Sequence, residues 1–292
     1  MNTVTLASTP EEAAAATAAE AYHTRLTGEL AGRLEMLLQA IERDPGDVEH
    51  IRSGLVEYCE RVLLPYIAAE ETVLYPAAHQ VAEARLLIES LISERRGIMA
   101  LVDALREAPT AEVALAEARA LEVLCGQHFA KDNDLVLPLL AGRPGISLAV
   151  LVTALHELYG PEPDTDDGEF AREAAEERTG GGGGCGCGGG GCGGGGGGGG
   201  CGCGGGGGGC DCGGGGEPDV PELDVRAVPH ALRHATVFGA LDAVRVGGGI
   251  VLVAHHDPLP LLEQIEERSP GRFAVEYTER GPEIWRLVFT RR

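Results

Sequence analysis

Two pairs of side chains in the N-terminal half stand at spacings that could bind a metal ion. Tyr66 and Glu70 are four residues apart, as are His128 and Asp132, and His23 lies upstream in an apolar stripe. A four-residue step places two side chains on one face of an α-helix, so both can reach a single ion. Imidazole and carboxylate together suit iron, manganese or zinc. The pattern predicts a metal site if helices bring these residues to a common interior.

The surrounding sequence predicts the helices that would position these residues. Apolar residues recur at steps of three and four, as in Leu26, Leu30, Leu34 and Leu37. Breaks in this pattern fall at DPGD (44–47), near Pro76, at APT (108–110) and at GRPG (142–145). The expected helix N-caps are Asp47, Thr110 and Ser147. Short connections between long helices favour an all-α, up-down four-helix bundle, with a shorter fifth helix at about 147–159.

Residues 20–140 resemble the hemerythrin-like, HHE cation-binding domains. The phrases LLPYIAAEETVLYP (63–76) and HFAKDNDLVLPLL (128–140) carry the resemblance. The family pattern has a His on the first helix, His-x-x-x-Glu on the second, a His on the third and His-x-x-x-Glu or Asp on the fourth. The resemblance implies a bundle around non-haem iron, in a dinuclear or single centre. It also implies a role in sensing or handling oxygen, nitric oxide or redox stress.

This sequence matches only part of the family's ligand pattern. The matching residues are His23, Glu70, His128 and Asp132. Tyr66 stands where the second-helix His is expected and remains a potential phenolate ligand to ferric iron. Arg95 stands at the third-helix His, so the metal site is degenerate.

Arg95 leaves three interpretations of the site open. Its place in the stripe Ile88, Leu91, Ile98 and Val102 predicts that it points into the bundle. Arginine cannot coordinate a metal, but an inward guanidinium could pair with the two site carboxylates in place of a cation. The alternatives are a dinuclear centre, a single metal, or a metal-free polar cluster in an interaction or scaffold module with an unknown protein partner. Glu71 and Glu94, beside the site positions, are expected to point to solvent or to a neighbouring helix.

Composition divides the chain into a bundle at 1–160, a linker at 161–219 and a second domain at 220–292. The linker is acidic at first and then almost entirely glycine and cysteine, which predicts a disordered tether. Its seven cysteines could bind a soft metal ion. A simpler explanation is mutational drift within a glycine repeat, because one base change converts a glycine codon to a cysteine codon. The cysteines are Cys185, Cys187, Cys192, Cys201, Cys203, Cys210 and Cys212. A 37-residue coil of this kind spans ~30–37 Å, so the two domains are expected to tumble independently.

In the C-terminal segment the spacing of apolar residues no longer follows the helical period throughout. It predicts the order β-α-β-α-β-β, a small two-layer α/β sandwich. It resembles an uncharacterised domain family often found beside hemerythrin-like bundles, and its element order is similar to TusA-like sulfur-transfer domains. Those domains carry a Cys-Pro pair where this chain has Val228-Pro229, so their persulfide chemistry is not expected. A candidate ligand site comprises Arg233, His234, His255, His256 and Asp257. Asp257 could instead be only a helix N-cap.

Charge and composition exclude several classes of function. The chain has 45 acidic and 23 basic side chains, a net charge of −22. This balance disfavours binding to nucleic acid or to an anionic membrane surface, because both require clustered cations. No apolar run has the length of a membrane span, and no signal-peptide pattern is present, so a cytoplasmic protein is expected. No catalytic triad, phosphate loop or Cys-x-x-Cys motif points to an enzyme.

Overall fold

The computed structural model describes residues 7–159 and 220–292. The first stretch forms long packed helices, and the second forms a small mixed sheet with helices. The predicted fold class, a helical bundle joined to a small α/β domain, is confirmed. The linker and its seven cysteines lie outside the described residues, so the expectations about them stay predictions. None of the described helices is both long and apolar enough to cross a membrane.

Four long helical units build the described N-terminal domain. The α-helices are α1 (Pro10–Arg43), α2 (Val48–Tyr58), α3 (Leu64–His79), α4 (Arg85–Glu107), α5 (Ala111–Lys131), α6 (Leu137–Ala141) and α7 (Leu148–Tyr159). A π-helical turn at Cys59–Leu63 joins α2 to α3, and another at Asp132–Val136 joins α5 to α6. The long units are therefore α1, α2–α3, α4 and α5–α6, and α7 is the predicted fifth helix.

Proline explains where both π-helical turns occur. Pro65 and Pro138 each stand two residues after a turn. A proline has no amide hydrogen, and its ring collides with the carbonyl four residues earlier, so a regular α-helix cannot continue through it unchanged. The wider turn relieves this conflict: in the second one the Leu137 amide donates to the Asp132 carbonyl, five residues back. The irregularity that accommodates Pro138 therefore begins at a candidate metal ligand.

Most of the predicted helix ends agree with the structure. Thr110 and Ser147 each accept a hydrogen bond from the amide three residues later, so both are N-caps. Asp47 precedes α2 but makes no capping hydrogen bond with its side chain. The break predicted near Pro76 comes shortly after it, because α3 contains the proline and ends at His79, before α4 begins at Arg85. Buried residues on both sides of the proline pack in the core, which offsets the one hydrogen bond that it cannot make.

The C-terminal domain has the predicted order of elements. They are β1 (Glu222–Asp224), α8 (Arg233–Ala243), β2 (Gly249–Ala254), α9 (Leu259–Arg268), β3 (Phe273–Arg280) and β4 (Trp285–Arg291). The sheet has the order β1-β2-β4-β3, with β1 and β2 parallel and the other pairs antiparallel. Because β1 and β2 are parallel, their carboxyl ends and the helices that follow them meet at one edge of the sheet.

Three glycines pack the two domains against each other, which contradicts the expectation of independent tumbling. Helix α1 lies directly on α8. A Cβ atom at Gly32 would stand 2.0 Å from the Thr236 carbonyl oxygen, and one at Gly28 would stand 2.5 Å from the Ala235 Cβ. Gly239 makes the same close approach from the side of α8. The helices approach so closely because neither backbone carries a side chain at these points.

Polar contacts surround this glycine interface. The Gln39 side chain accepts a hydrogen bond from the Glu222 amide at 2.8 Å and donates one to the Glu222 carbonyl at 2.6 Å. The Arg268 guanidinium lies 3.1 Å from the Glu29 carboxylate, which is almost fully buried. These contacts fix α1, the helix that carries His23, to the sheet domain.

Candidate metal centre

The structure brings five of the predicted site residues to one buried level of the bundle. Helix α1 supplies His23, α3 supplies Tyr66 and Glu70, α5 supplies His128, and the π-helical turn after α5 supplies Asp132. Each is at most 1% exposed. The four-residue spacings therefore place these side chains together, as the helical period requires.

Glu70, His128 and Asp132 form the potential metal-binding cluster among the described residues. One ligand atom from each lies within 4.8 Å of the others. Burial, and then the nearby Glu70 carboxylate, raise the pKa of Asp132 well above its usual value. Burial lowers the pKa of His128, so its imidazole stays neutral and retains a lone pair for a metal. Two buried carboxylates and a neutral imidazole are the donor set of a divalent cation site.

His23 is held by polar partners on both sides of its ring. Its Nδ1 lies 2.5 Å from Asn133 Oδ1, and its Nε2 lies 2.8 Å from Glu70 Oε1. The Glu70 carboxylate oxygen accepts the hydrogen bond from Nε2. The Nε2 also contacts the Tyr66 hydroxyl at 2.9 Å. Burial raises the pKa of Tyr66 well above its usual value, so it is a neutral phenol here.

The second oxygen of Glu70 shows that a cation fits the site. Glu70 Oε2 is buried without a hydrogen-bond partner. A buried carboxylate oxygen that lacks a donor is costly unless a positive charge compensates it. His23 compensates the other oxygen, and a metal held with His128 and Asp132 would compensate this one. The arrangement accordingly fits one metal ion.

Tyr75 is a contact residue that the sequence analysis missed. Its hydroxyl donates to the Asp132 carboxylate at 3.1 Å and lies 3.3 Å from His128 Nε2. It follows Glu70 by five residues, and in an ideal helix this spacing places a side chain on a different face from Glu70. A four-residue spacing therefore does not identify it. The sequence did offer one signal for Tyr75. Aromatic residues are only 4% of this chain, so one that stands close to a candidate ligand is unusual.

Glu94 points to the neighbouring helix α5, one of its two expected directions, and its carboxylate also reaches the site there. Its carboxylate oxygen lies 3.4 Å from His128 Nδ1, the ring nitrogen remote from Asp132. It also binds the Lys131 ammonium. Partial burial acts to raise the pKa of Glu94, but the hydrogen bond and charge of Lys131 outweigh this effect and lower it. An ionised carboxylate behind a ligating histidine orients the ring and increases its basicity.

Arg95 does not replace a metal cation, and the prediction of an inward guanidinium was wrong. The Arg95 guanidinium pairs with Glu71 at 2.8 Å, and both side chains are 30% exposed. The buried stripe of α4 contains Leu91 and Ile98, but Arg95 lies on its flank. A long side chain on a flank can carry its charge towards solvent, where hydration costs less than a buried ion pair.

The predicted C-terminal ligand residues are partly brought together. Arg233, His234, His255 and His256 line one pocket. Asp257 is not part of that lining and does not cap α9, because Pro258 takes the N-cap position. The Asp257 carboxylate instead accepts a hydrogen bond of 2.7 Å from the Tyr277 hydroxyl.

Comparison with known families agrees with this division into two domains. Residues 15–140 match the family described as hemerythrin HHE cation binding domain. Residues 222–291 match a family described as uncharacterized conserved protein (DUF2249). No match was found among the curated proteins or among the solved structures. The two described domains are thus similar to the hemerythrin HHE cation binding domain and to an uncharacterized conserved family, respectively.

Proposed function

We propose that the bundle binds one non-haem iron ion and that the protein senses or handles oxygen, nitric oxide or redox stress. The observation that carries the proposal is the buried cluster of Glu70, His128 and Asp132, in which the second oxygen of Glu70 has no partner. The family match supports cation binding. Mixed imidazole and carboxylate donors favour iron over softer ions.

A single ion suits these residues better than two. The family pattern needs an imidazole at the positions of Tyr66 and Arg95, and this chain has neither. Arg95 faces Glu71 at the edge of the bundle, where it supplies no ligand. The remaining donors are Glu70, His128 and Asp132, with His23 next to Glu70.

The residues around the cluster orient the ligands and keep water out. Glu94 stands behind His128, Asn133 holds His23, and the Tyr75 hydroxyl holds Asp132. The Phe129 ring stacks on His23 with ring centroids 4.6 Å apart. A dry, preorganised pocket strengthens the electrostatic interactions within it. When bound, iron would supply one-electron redox chemistry.

We further infer that the protein is a binding or sensing protein rather than an enzyme, and that it works in the cytoplasm. The free, buried thiols of Cys59 and Cys125 support a reducing compartment. The C-terminal domain is proposed to share the TusA-like arrangement, for which its element order is the support. Val228 stands where those domains carry cysteine, so no persulfide role is proposed.

A metal-free interaction module is the second candidate function. The His23–Glu70 contact supports it, because it gives one oxygen of the buried Glu70 carboxylate a hydrogen-bond partner without a metal. The two candidates differ in metal stoichiometry. A full-length chain reconstituted with Fe(II) without oxygen should retain about one iron per chain, and its optical spectrum should change with oxygen or nitric oxide. Failure to retain iron would favour the interaction module.

Two substitutions of neighbouring residues make this experiment specific. Glu70→Gln keeps the size of the side chain but removes a ligand charge, so iron affinity should fall at least tenfold. Glu71→Gln removes a carboxylate one residue away that pairs with Arg95 outside the cluster. It should leave iron content unchanged. Retention of two irons by the wild-type chain would overturn the single-ion proposal.

A further inference from the structure

A pocket in the C-terminal domain is lined by basic and apolar side chains, although the protein as a whole is acidic. It lies where β1 and β2 end. Its basic side chains are Arg226, His230, Arg233, His234, His255 and His256. The other described lining residues are apolar and none is acidic, although the chain as a whole has a net charge of −22.

The two arginines of this pocket differ in how their charge is compensated. Arg226 makes a two-pronged contact with the Asp224 carboxylate, at 2.8 and 2.7 Å. The Nε of Arg233 donates to the Val228 carbonyl at 3.0 Å, which anchors the guanidinium. Within residues 7–159 and 220–292, no carboxylate pairs with Arg233. Its terminal amino groups can therefore bind an anionic ligand.

The first turn of α9 adds hydrogen-bond donors at the same place. No side chain caps this helix, and Pro258 and Pro260 at its start contribute to the pocket wall. Asp257, the residue that could have capped it, is bound to Tyr277 instead. Pro258 and Pro260 have no amide hydrogen, so the donors that this helix start offers to an anion are the Leu259 and Leu261 amides. The position also matches the common ligand site of α/β folds, outside the carboxyl ends of parallel strands.

We propose that this pocket binds a small molecule that carries a phosphate group. The phosphate would contact Arg233 and the start of α9, and the organic part would lie against the apolar wall formed by residues such as Val237 and Leu261. Donors that converge from an arginine, several histidines and a helix start suit a tetrahedral oxyanion better than a planar carboxylate.

A metal ion held by the four histidines is the competing occupant. A metal site needs ligand atoms gathered around one point. Among the described residues, the cluster that meets this condition is Glu70, His128 and Asp132 in the bundle. The histidines of the C-terminal pocket therefore act as hydrogen-bond donors in this proposal.

Calorimetric titration of the full-length chain with phenyl phosphate, inorganic phosphate and benzoate tests the proposal. Phenyl phosphate should bind most tightly, because it satisfies both the basic and the apolar parts of the pocket. Arg233→Met should weaken its binding at least tenfold. Arg292→Met, which removes one exposed charge from the same domain, should change it less than twofold. His255→Gln, at an exposed position, should weaken it at least threefold even if Arg233→Met disturbs folding.

Three results would overturn the proposal. Benzoate carries a planar carboxylate in place of the phosphate, and benzoate binding as tight as that of phenyl phosphate would rule out phosphate selectivity. Unchanged affinity in a folded Arg233→Met variant would place the ligand elsewhere. Stoichiometric Zn²⁺ binding that His255→Gln abolishes, without any heat from phosphates, would identify a metal site instead.

Discussion

His23 Nε2 lies 2.8 Å from Glu70 Oε1, and this buried contact ties α1 to the metal-binding cluster on the other helices. The same carboxylate leaves Oε2 without a hydrogen-bond partner. Glu70 is therefore shared between a histidine that already compensates one oxygen and a cation position that would compensate the other.

Iron binding should release a proton from Asp132. Burial and the nearby Glu70 carboxylate raise the pKa of Asp132, so the carboxyl retains a proton in the metal-free protein that it must lose to bind a metal. Calorimetry in buffers of different ionisation enthalpy should show about one proton released per iron. Asp132→Asn should remove this release, whereas His50→Gln, at an exposed position on α2, should preserve it. Proton release unchanged by Asp132→Asn would contradict the assignment.

Asp132→Asn should stabilise the metal-free protein and weaken its iron binding. Burial raises the pKa of Asp132, so the folded state retains its proton more strongly than the unfolded chain does. That contribution to stability is present at acidic pH and lost as pH rises through the folded-state pKa. The variant should therefore gain about 1–3 kcal/mol near neutral pH, and the gain should vanish below about pH 4.

Thermal unfolding with and without iron measures both effects of Asp132→Asn. Iron should raise the melting temperature of the wild-type chain and leave that of the variant nearly unchanged. Destabilisation of the metal-free variant at neutral pH would show that the carboxylate is structural.

Arg95→Ala should have little effect on stability or on iron content. The Arg95–Glu71 pair is partly exposed, and such pairs contribute about 1 kcal/mol or less. A fully buried pair would cost about 3–5 kcal/mol when broken. Urea unfolding distinguishes these values. A loss in the larger range would restore the interpretation in which Arg95 replaces a cation.

Gly32→Val should separate the two domains. A side chain at this position would overlap the backbone of α8, because the Cβ alone would lie 2.0 Å from the Thr236 carbonyl oxygen. NMR relaxation should then report faster tumbling of the sheet domain. Gly54→Ala is the matched control, because no atom lies within 4 Å of its added Cβ. Equal relaxation rates in the Gly32 variant would mean that other contacts hold the domains together.

Replacement of all seven linker cysteines by serine should leave folding and bundle iron content unchanged. This follows from the interpretation of those residues as drift within a glycine repeat. Metal analysis of the variant checks it. Loss of a stoichiometric zinc or copper ion would show that the tract binds metal.

Local periodicity was enough to predict the pairing of His128 with Asp132 and the face that carries Glu70. Helical spacing is set by neighbouring residues in the chain, and Thr110 and Ser147 mark helix starts by hydrogen bonds to amides three residues away. The order β-α-β-α-β-β followed from the same local signals. These features required no knowledge of how the elements pack.

Tertiary packing alone decided the direction of Arg95 and the approach of Tyr75 and Glu94 to the cluster. Arg95 and Glu94 lie outside the buried stripe of α4, and Tyr75 is five residues from Glu70 on α3, so the position of the neighbouring helix determines what each side chain meets. The docking of Gly32 against α8 is the clearest case, since a glycine within a helix has no side chain to reveal its partner. Close approach of two backbones depends on surfaces distant in sequence, and local periodicity carries no information about them.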